Sequence, residues 1–272
     1  MADTSASFSD SIKTGYTFKG KSIKIGGAML DKKVVPGCDV NLPLGTMNRH
    51  GLISGATGTG KTKTLQLISE GLSDAGVPVL LMDIKGDLSG IAAPGEASDK
   101  IVQRSKLIDI DYTPKGYPVE LLTLSQQPGV RLRATVTEFG PVLLSKMLEL
   151  NDTQEGLLAM LFKFSDDNQL PLVDLKDLKE VLKYAADEGK AELEKSYGHI
   201  STASTGTIMR NVVQLEQQGA DLFFGEKSFE VDDLMRTTAD GKGMVSILRL
   251  TDIQDRPKLF STFMLSLLSE LY

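Results

Sequence analysis

The pattern of apolar and polar positions changes character twice along the chain. Residues 16–25 alternate around Gly20, the period-two signature of a β-hairpin. Ahead of them, 1–11 are serine-rich with interspersed acids and read as a disordered tail. Gly26, Gly27, Pro36, Gly37 and Pro43 then punctuate a loop-rich stretch, and 49–54 read as a short strand. In 61–75, Leu65, Leu67, Ile68 and Leu72 recur at helical spacing, and Gly76 ends the segment. Residues 77–82 are a continuous apolar run closed by Asp83, as suits a parallel strand buried on both faces. Further strands are predicted at 106–111, 117–122 and 130–136. The period then becomes helical over 139–150, 152–165, 174–187 and 204–218. Asp152 and Glu155 have capping-box spacing, and Gly219 falls where a C-terminal cap belongs. Residues 243–250 return to β, and 257–272 form an amphipathic helix.

Strand, glycine-rich loop, helix and strand over 49–83 make a βαβ unit, which predicts an α/β fold with an open, mostly parallel sheet. The long helical tract between strands predicts an all-helical subdomain, 138–239, inserted into a core formed by 47–137 and 240–272. A tail and an N-terminal β segment over 1–46 precede that core.

Composition narrows the class. The 272 residues are 41% hydrophobic and carry a net charge of −6, so no general basic face for nucleic acid is indicated. One cysteine excludes an intramolecular disulfide, and with two histidines it falls short of a typical structural zinc site. Cys38 therefore reads as a small buried or loop thiol. No apolar run approaches the ~18 residues that span a bilayer, and the N-terminus lacks the apolar segment of a signal peptide. No membrane role is expected, and the cytoplasm is the expected compartment.

The chemistry lies at Gly55-Ala56-Thr57-Gly58-Thr59-Gly60-Lys61-Thr62, which matches G-x-x-x-x-G-K-[ST]. A triphosphate carries several negative charges, and a helix N-terminus offers unpaired N–H groups at a positive dipole end. Glycines let such a loop turn its amides inward. Lys61 then adds a point charge on the β/γ oxygens, Thr62 ligates Mg²⁺, and Lys63 extends the nucleotide-binding set. ATP is preferred over GTP because no Asn-Lys pair of a guanine-reading element occurs.

Hydrolysis requires a carboxylate near the metal and a group that positions water. Asp83, 22 residues after Lys61 at the end of an apolar run, is the foremost strand-end acid, with capping of its own Asp83–Asp87 loop as the structural alternative. Asp252 is weaker, and Asp187-Glu188 falls in a helical segment as a solvated face. No apolar strand ends in Asp-Glu, so an obvious Walker B motif is absent, and the sequence reads as a fragment that stops within a helix.

With these residues in view, the chain resembles the HerA/FtsK superfamily of P-loop ATPases, and most closely bacterial HerA-like helicases of the YjgR type. The resemblance runs from about Met47 to Tyr272. It is carried by Asn48-Arg49-His50-Gly51-Leu52-Ile53-Ser54 leading into the P-loop, and by Asp83-Ile84-Lys85-Gly86-Asp87-Leu88-Ser89-Gly90. Leu150-Asn151-Asp152-Thr153-Gln154-Glu155-Gly156, Asp174-Leu175-Lys176-Asp177-Leu178, Gly198-His199-Ile200-Ser201 and Leu222-Phe223-Phe224-Gly225-Glu226 continue it. The resemblance implies a RecA-like P-loop NTPase core that assembles as a ring, usually a hexamer, and couples ATP hydrolysis to movement of double-stranded DNA. It implies that Asp83 matches an acid needed for ATPase activity, and that Arg49 matches an arginine near the nucleotide, in trans in some rings. From its residue type alone Arg49 is a solvated loop charge. The family's Asp-Glu strand is absent, so the chain as given is expected to hydrolyse ATP slowly or not at all.

Two rival readings remain open in the sequence. One is a metabolic, kinase-like P-loop enzyme with a helical lid, disfavoured because 138–240 hold only Arg210 and Arg236. The other is a nucleotide-gated scaffold without chemistry. Phe223-Phe224 reads either as an exposed stacking patch or, better, as core.

Overall fold

The computed structural model describes residues 2–254 and 256–271. Met1 of the expected tail, Asp255, and Tyr272 of the expected last helix lie outside the described residues. The chain forms two compact units, one from Met1–Leu81, Gly86–Glu120 and Leu234–Ile247, the other from Met82–Lys85, Leu121–Asp233 and Leu248–Tyr272.

In the first unit, the segment expected as a tail forms helix α1, Ala2–Tyr16. Packing explains the difference: α1 lies along strand β2 (Lys33–Pro43), where Asn41 donates to the Tyr16 carbonyl. Tertiary contact supplies the burial that its composition does not advertise. Strand β1, Ser22–Leu30, pairs antiparallel with β2 through a turn at Asp31-Lys32, both with positive φ. The hairpin is thus displaced from the expected 16–25. The longer pairing wins because it buries Ile23, Ala28 and the free thiol Cys38, while Gly20 serves only to leave α1.

Helix α2, Lys61–Asp74, packs on β1 at Gly71, where a Cβ would come within 2.3 Å of Ile23. It ends at Ala75, followed by Gly76 in the left-handed region, as its sequence predicts. Its last turn is pinned twice. Ser73 Oγ donates to the Gly243 carbonyl, and Asp74 accepts from Lys115 and from Tyr117. Burial, reinforced by Asp74 against the opposing Lys115, pushes the Tyr117 hydroxyl up to about 12, so it remains a donor. Residues 99–107 form helix α3, Asp99–Leu107, where a strand over 106–111 was expected. An acid in its first turn with Arg104 and Lys106 in its last suits the helix dipole, a signal lost when 106–111 are read alone.

Residues 50–56, expected to be strand in part, form none. Only Leu52, Ile53 and Ser54 separate Gly51 from Gly55, and Leu52 is 89% exposed. Glycine flanks weaken a run that short when no ladder covers it.

Strands β3 (Val79–Asp83), β4 (Val119–Thr123), β5 (Val130–Arg131) and β6 (Val245–Arg249) form a sheet in the order β3-β6-β4-β5. Hydrogen bonds from Val79 N to Met244 O and from Leu250 N to Asp83 O advance in step, so β3 and β6 are parallel, as are β4 and β5. The fold is α/β with a parallel sheet, consistent with a RecA-like core preceded by an antiparallel hairpin. β5 is shorter than expected because Thr135 already caps the next helix.

In the second unit lie helices α4 (Val136–Met147), α5 (Asp152–Asp167), α6 (Leu175–Ala186), α7 (Lys190–Tyr197) and α8 (Thr202–Gln217). Helix α9, Pro257–Leu271, follows later in the chain. The helix α7 carries no strong apolar period and was not expected. Gly140 breaks α4 with φ 75 and ψ 164 ahead of Pro141, whose ring disfavours a helical predecessor. Capping boxes start α4 (Thr135 with Glu138), α5 (Asn151 with Gln154) and α6 (Asp174 with Asp177). The α5 box lies one residue before the expected Asp152–Glu155 pair, because the Asn151 side chain takes the cap. Phe139, Phe223, Phe224 and Phe263 meet edge-to-face, with Phe223 and Phe224 each 1% exposed, so this pair is core. Among the described residues no helix is long and apolar enough to cross a membrane.

Candidate nucleotide-binding site

Helix α2 starts in a manner opposite to α4, α5 and α6. Its N-cap is Gly60 in the left-handed region (φ 96), with no side-chain cap and no acid in the first turn. Among the described residues no side chain caps these first amides, and Lys61 and Lys63 add positive charge at the positive end of the dipole. For folding alone that is an unfavourable choice. It is favourable when an anion takes the place of the cap.

The loop is shaped for the same purpose. Gly58 also has positive φ, and a Cβ on Gly55 would fall 2.5 Å from Thr59 Oγ1. Thr59 Oγ1 donates to the Ala56 carbonyl at 2.8 Å, which tightens the turn between Gly55 and Gly60. Lys61 folds back so that Nζ donates to the carbonyls of Gly55 and Ala56 at 2.8 and 2.7 Å. The ammonium therefore sits over the loop, and among the described residues its partners are neutral carbonyls. A phosphate oxygen there would meet a stronger electrostatic partner than either carbonyl.

The carboxylate beside the Thr62 hydroxyl belongs to Asp87. Thr62 Oγ1 donates to Asp87 Oδ2 at 3.2 Å, and Gln66, one turn along α2, donates to the Asp87 carbonyl at 3.1 Å. Sequence reasoning singled out Asp83 and treated Asp87 only as part of its loop. The missed signal is the glycine between them: Gly86, with φ 80, turns the chain after the strand and directs Asp87 to α2. Asp83 itself ends β3 and is 2% exposed, and its carbonyl accepts from Leu250 N. Arg49 lies in an exposed turn in which its backbone N–H donates to the Thr46 carbonyl, and among the described residues no carboxylate pairs with its side chain.

The residues present fit a magnesium nucleotide. The loop amides and Lys61 would hold the phosphates, and Thr62, with Asp87 behind it, would hold Mg²⁺. When bound, the ion supplies neutralisation of charge on the β and γ oxygens. Asp87→Asn keeps the shape but removes the charge that faces Thr62. The substitution should weaken ATP binding roughly tenfold in Mg²⁺ and far less in EDTA, a difference of about 1.4 kcal/mol, measurable by titration calorimetry under both conditions. Equal affinities of wild type and variant in Mg²⁺ would remove Asp87 from the metal side.

Comparison with protein families gives a match of residues 30–272 to the family described as helicase HerA-like C-terminal. Comparison with curated proteins gives no match.

Proposed function

The chain belongs to the HerA-like helicase C-terminal family, and on that premise we propose that it is the nucleotide-binding part of a motor ATPase. In this reading it binds ATP with Mg²⁺ and couples hydrolysis to translocation or remodelling of double-stranded DNA, as a ring oligomer in the cytoplasm. The observation that carries the reading is the uncapped, lysine-bearing start of α2 beneath a glycine loop, which suits a phosphate group.

Roles follow for the remaining residues. Lys61 draws the β and γ oxygens over the loop, and Thr62 with Asp87 orders the metal side. Asp83, at the carboxyl end of β3, is assigned in this reading as the acid needed for ATPase activity, in keeping with the ligand side of open α/β sheets. Arg49, exposed and among the described residues without a carboxylate partner, would reach the nucleotide of a neighbouring subunit. An arginine supplied in trans stabilises transition-state charge and is worth about 10³–10⁵ in rate in other phosphoryl-transfer systems.

The deciding experiment is ATP turnover by the intact protein with and without double-stranded DNA. Stimulation by duplex supports a DNA motor. Turnover indifferent to DNA, or nucleotide binding without turnover, would rule the motor out in favour of a metabolic enzyme or a nucleotide-gated scaffold.

A further inference from the structure

Within the first unit, α2 presents two distinct faces at its N-terminal end. Thr62 and Gln66, one turn apart, face Asp87. Gly60, Lys63, Thr64 and Leu67 recur at i, i+3, i+4 and i+7, which makes them a second face. That second face opens into a half-open cavity of about 850 Å³, lined also by the β1–β2 hairpin and the end of α3. The volume lies within the roughly 300–1,000 Å³ of small-molecule sites.

We propose that this cavity receives the base and ribose of the bound triphosphate, an inference that rests on the P-loop reading above. Polarity along the phosphate chain carries the argument. Thr62 and Asp87 would hold the metal, which would neutralise charge on the terminal phosphates, so the γ end of the chain would lie toward them. The sugar end then leaves the loop on the face away from them. That exit passes Thr59, Gly60, Lys63 and Thr64, which themselves line the cavity.

The lining suits a nucleoside. Ile25, Val34, Leu67 and Ile108 offer apolar walls for a base, and Met29 and Leu107 at the rim are 54% and 61% exposed, apolar surface a planar ring would cover. Lys32 and Lys33 at the hairpin, Lys63 on α2 and Arg104 on α3 place positive charge around it, suited to the α-phosphate and the ribose hydroxyls. The walls are held together: a Cβ on Gly27 would come within 2.6 Å of Ile108 Cγ2, so hairpin and α3 meet at a glycine contact. The N-terminal hairpin becomes part of the nucleotide site.

The test compares ATP with inorganic tripolyphosphate, which offers the phosphates without the nucleoside. The chain has no tryptophan, so Leu107→Trp, at an exposed helix end, provides a single reporter at the rim. Its emission should change when Mg-ATP binds and stay unchanged with tripolyphosphate. Val34→Phe, which fills the cavity from β2, should weaken ATP about tenfold and leave tripolyphosphate within about twofold. An emission that ignores ATP, or a Val34→Phe variant that binds ATP as wild type does, would place the nucleoside elsewhere and overturn the proposal. Equal losses for both ligands would also overturn it, since that pattern marks damage to the loop. If wild type binds neither ligand, the P-loop reading and this inference fall together, whereas tripolyphosphate binding without the ATP effects leaves the P-loop reading standing.

Discussion

Lys61→Ala should bind Mg-ATP about tenfold to a hundredfold more weakly than wild type, while the nucleotide-free protein stays as stable as before. The Lys61 ammonium is held by the carbonyls of Gly55 and Ala56 in an exposed loop. Both carbonyls can turn to water when the side chain is removed, so the fold loses little. Nucleotide binding loses a charge-assisted contact to an anion, worth roughly 1.5–3 kcal/mol. If the protein hydrolyses ATP as proposed, turnover should fall further, by about 10²-fold or more, because the ammonium would stabilise charge that develops on the phosphoryl oxygens. Thermal denaturation with and without Mg-ATP reads both halves at once. Wild type should gain melting temperature with ligand, and Lys61→Ala should match the apo wild type but gain clearly less at the same Mg-ATP concentration. A variant that still gains the full shift would show that the loop does not grip phosphate.

The largest effect on stability is expected at Phe223. Phe223 is 1% exposed in the second unit and touches the rings of Phe139, Phe224 and Phe263 edge-to-face at 5.8, 4.8 and 5.3 Å between centroids. The cluster ties together α4, α9 and the short turn after α8, three segments far apart in sequence. Phe223→Ala removes a ring that the surrounding backbone cannot replace, and such truncations cost about 3–5 kcal/mol. Against a typical total stability of roughly 5–15 kcal/mol, that loss should lower the urea midpoint sharply or unfold the second unit. Circular dichroism along a urea titration measures it. A change under about 1 kcal/mol would mean that the pair is a surface patch after all.

Gly55 to Thr62 could be read because its chemistry is local: glycines that open backbone angles, amides at a helix start and a lysine at fixed spacing lie within one short stretch. The helices of the second unit were legible for a similar reason, since their apolar residues recur at helical period over a dozen positions. The α/β class follows from the same patterning, with a continuous apolar strand at β3 and a β-rich return at β6.

Only the tertiary structure decided the rest, wherever partners distant in sequence compete for one segment. Ala2–Tyr16 is helical because β2 lies beside it, a contact invisible in its own composition. The hairpin takes the register that buries Ile23, Ala28 and Cys38 over the one that centres Gly20. Asp87 rather than Asp83 meets Thr62 because Gly86 redirects the chain after β3, a turn whose direction no spacing encodes. The cavity beside α2 needs the hairpin, α2 and α3 at once, and enclosure is a property of their packing. Sequence by itself determined which residues are proposed to hold phosphate, because that proposal depends on backbone freedom and charge within one loop. Which carboxylate and which walls surround them depends on how separate segments share buried space.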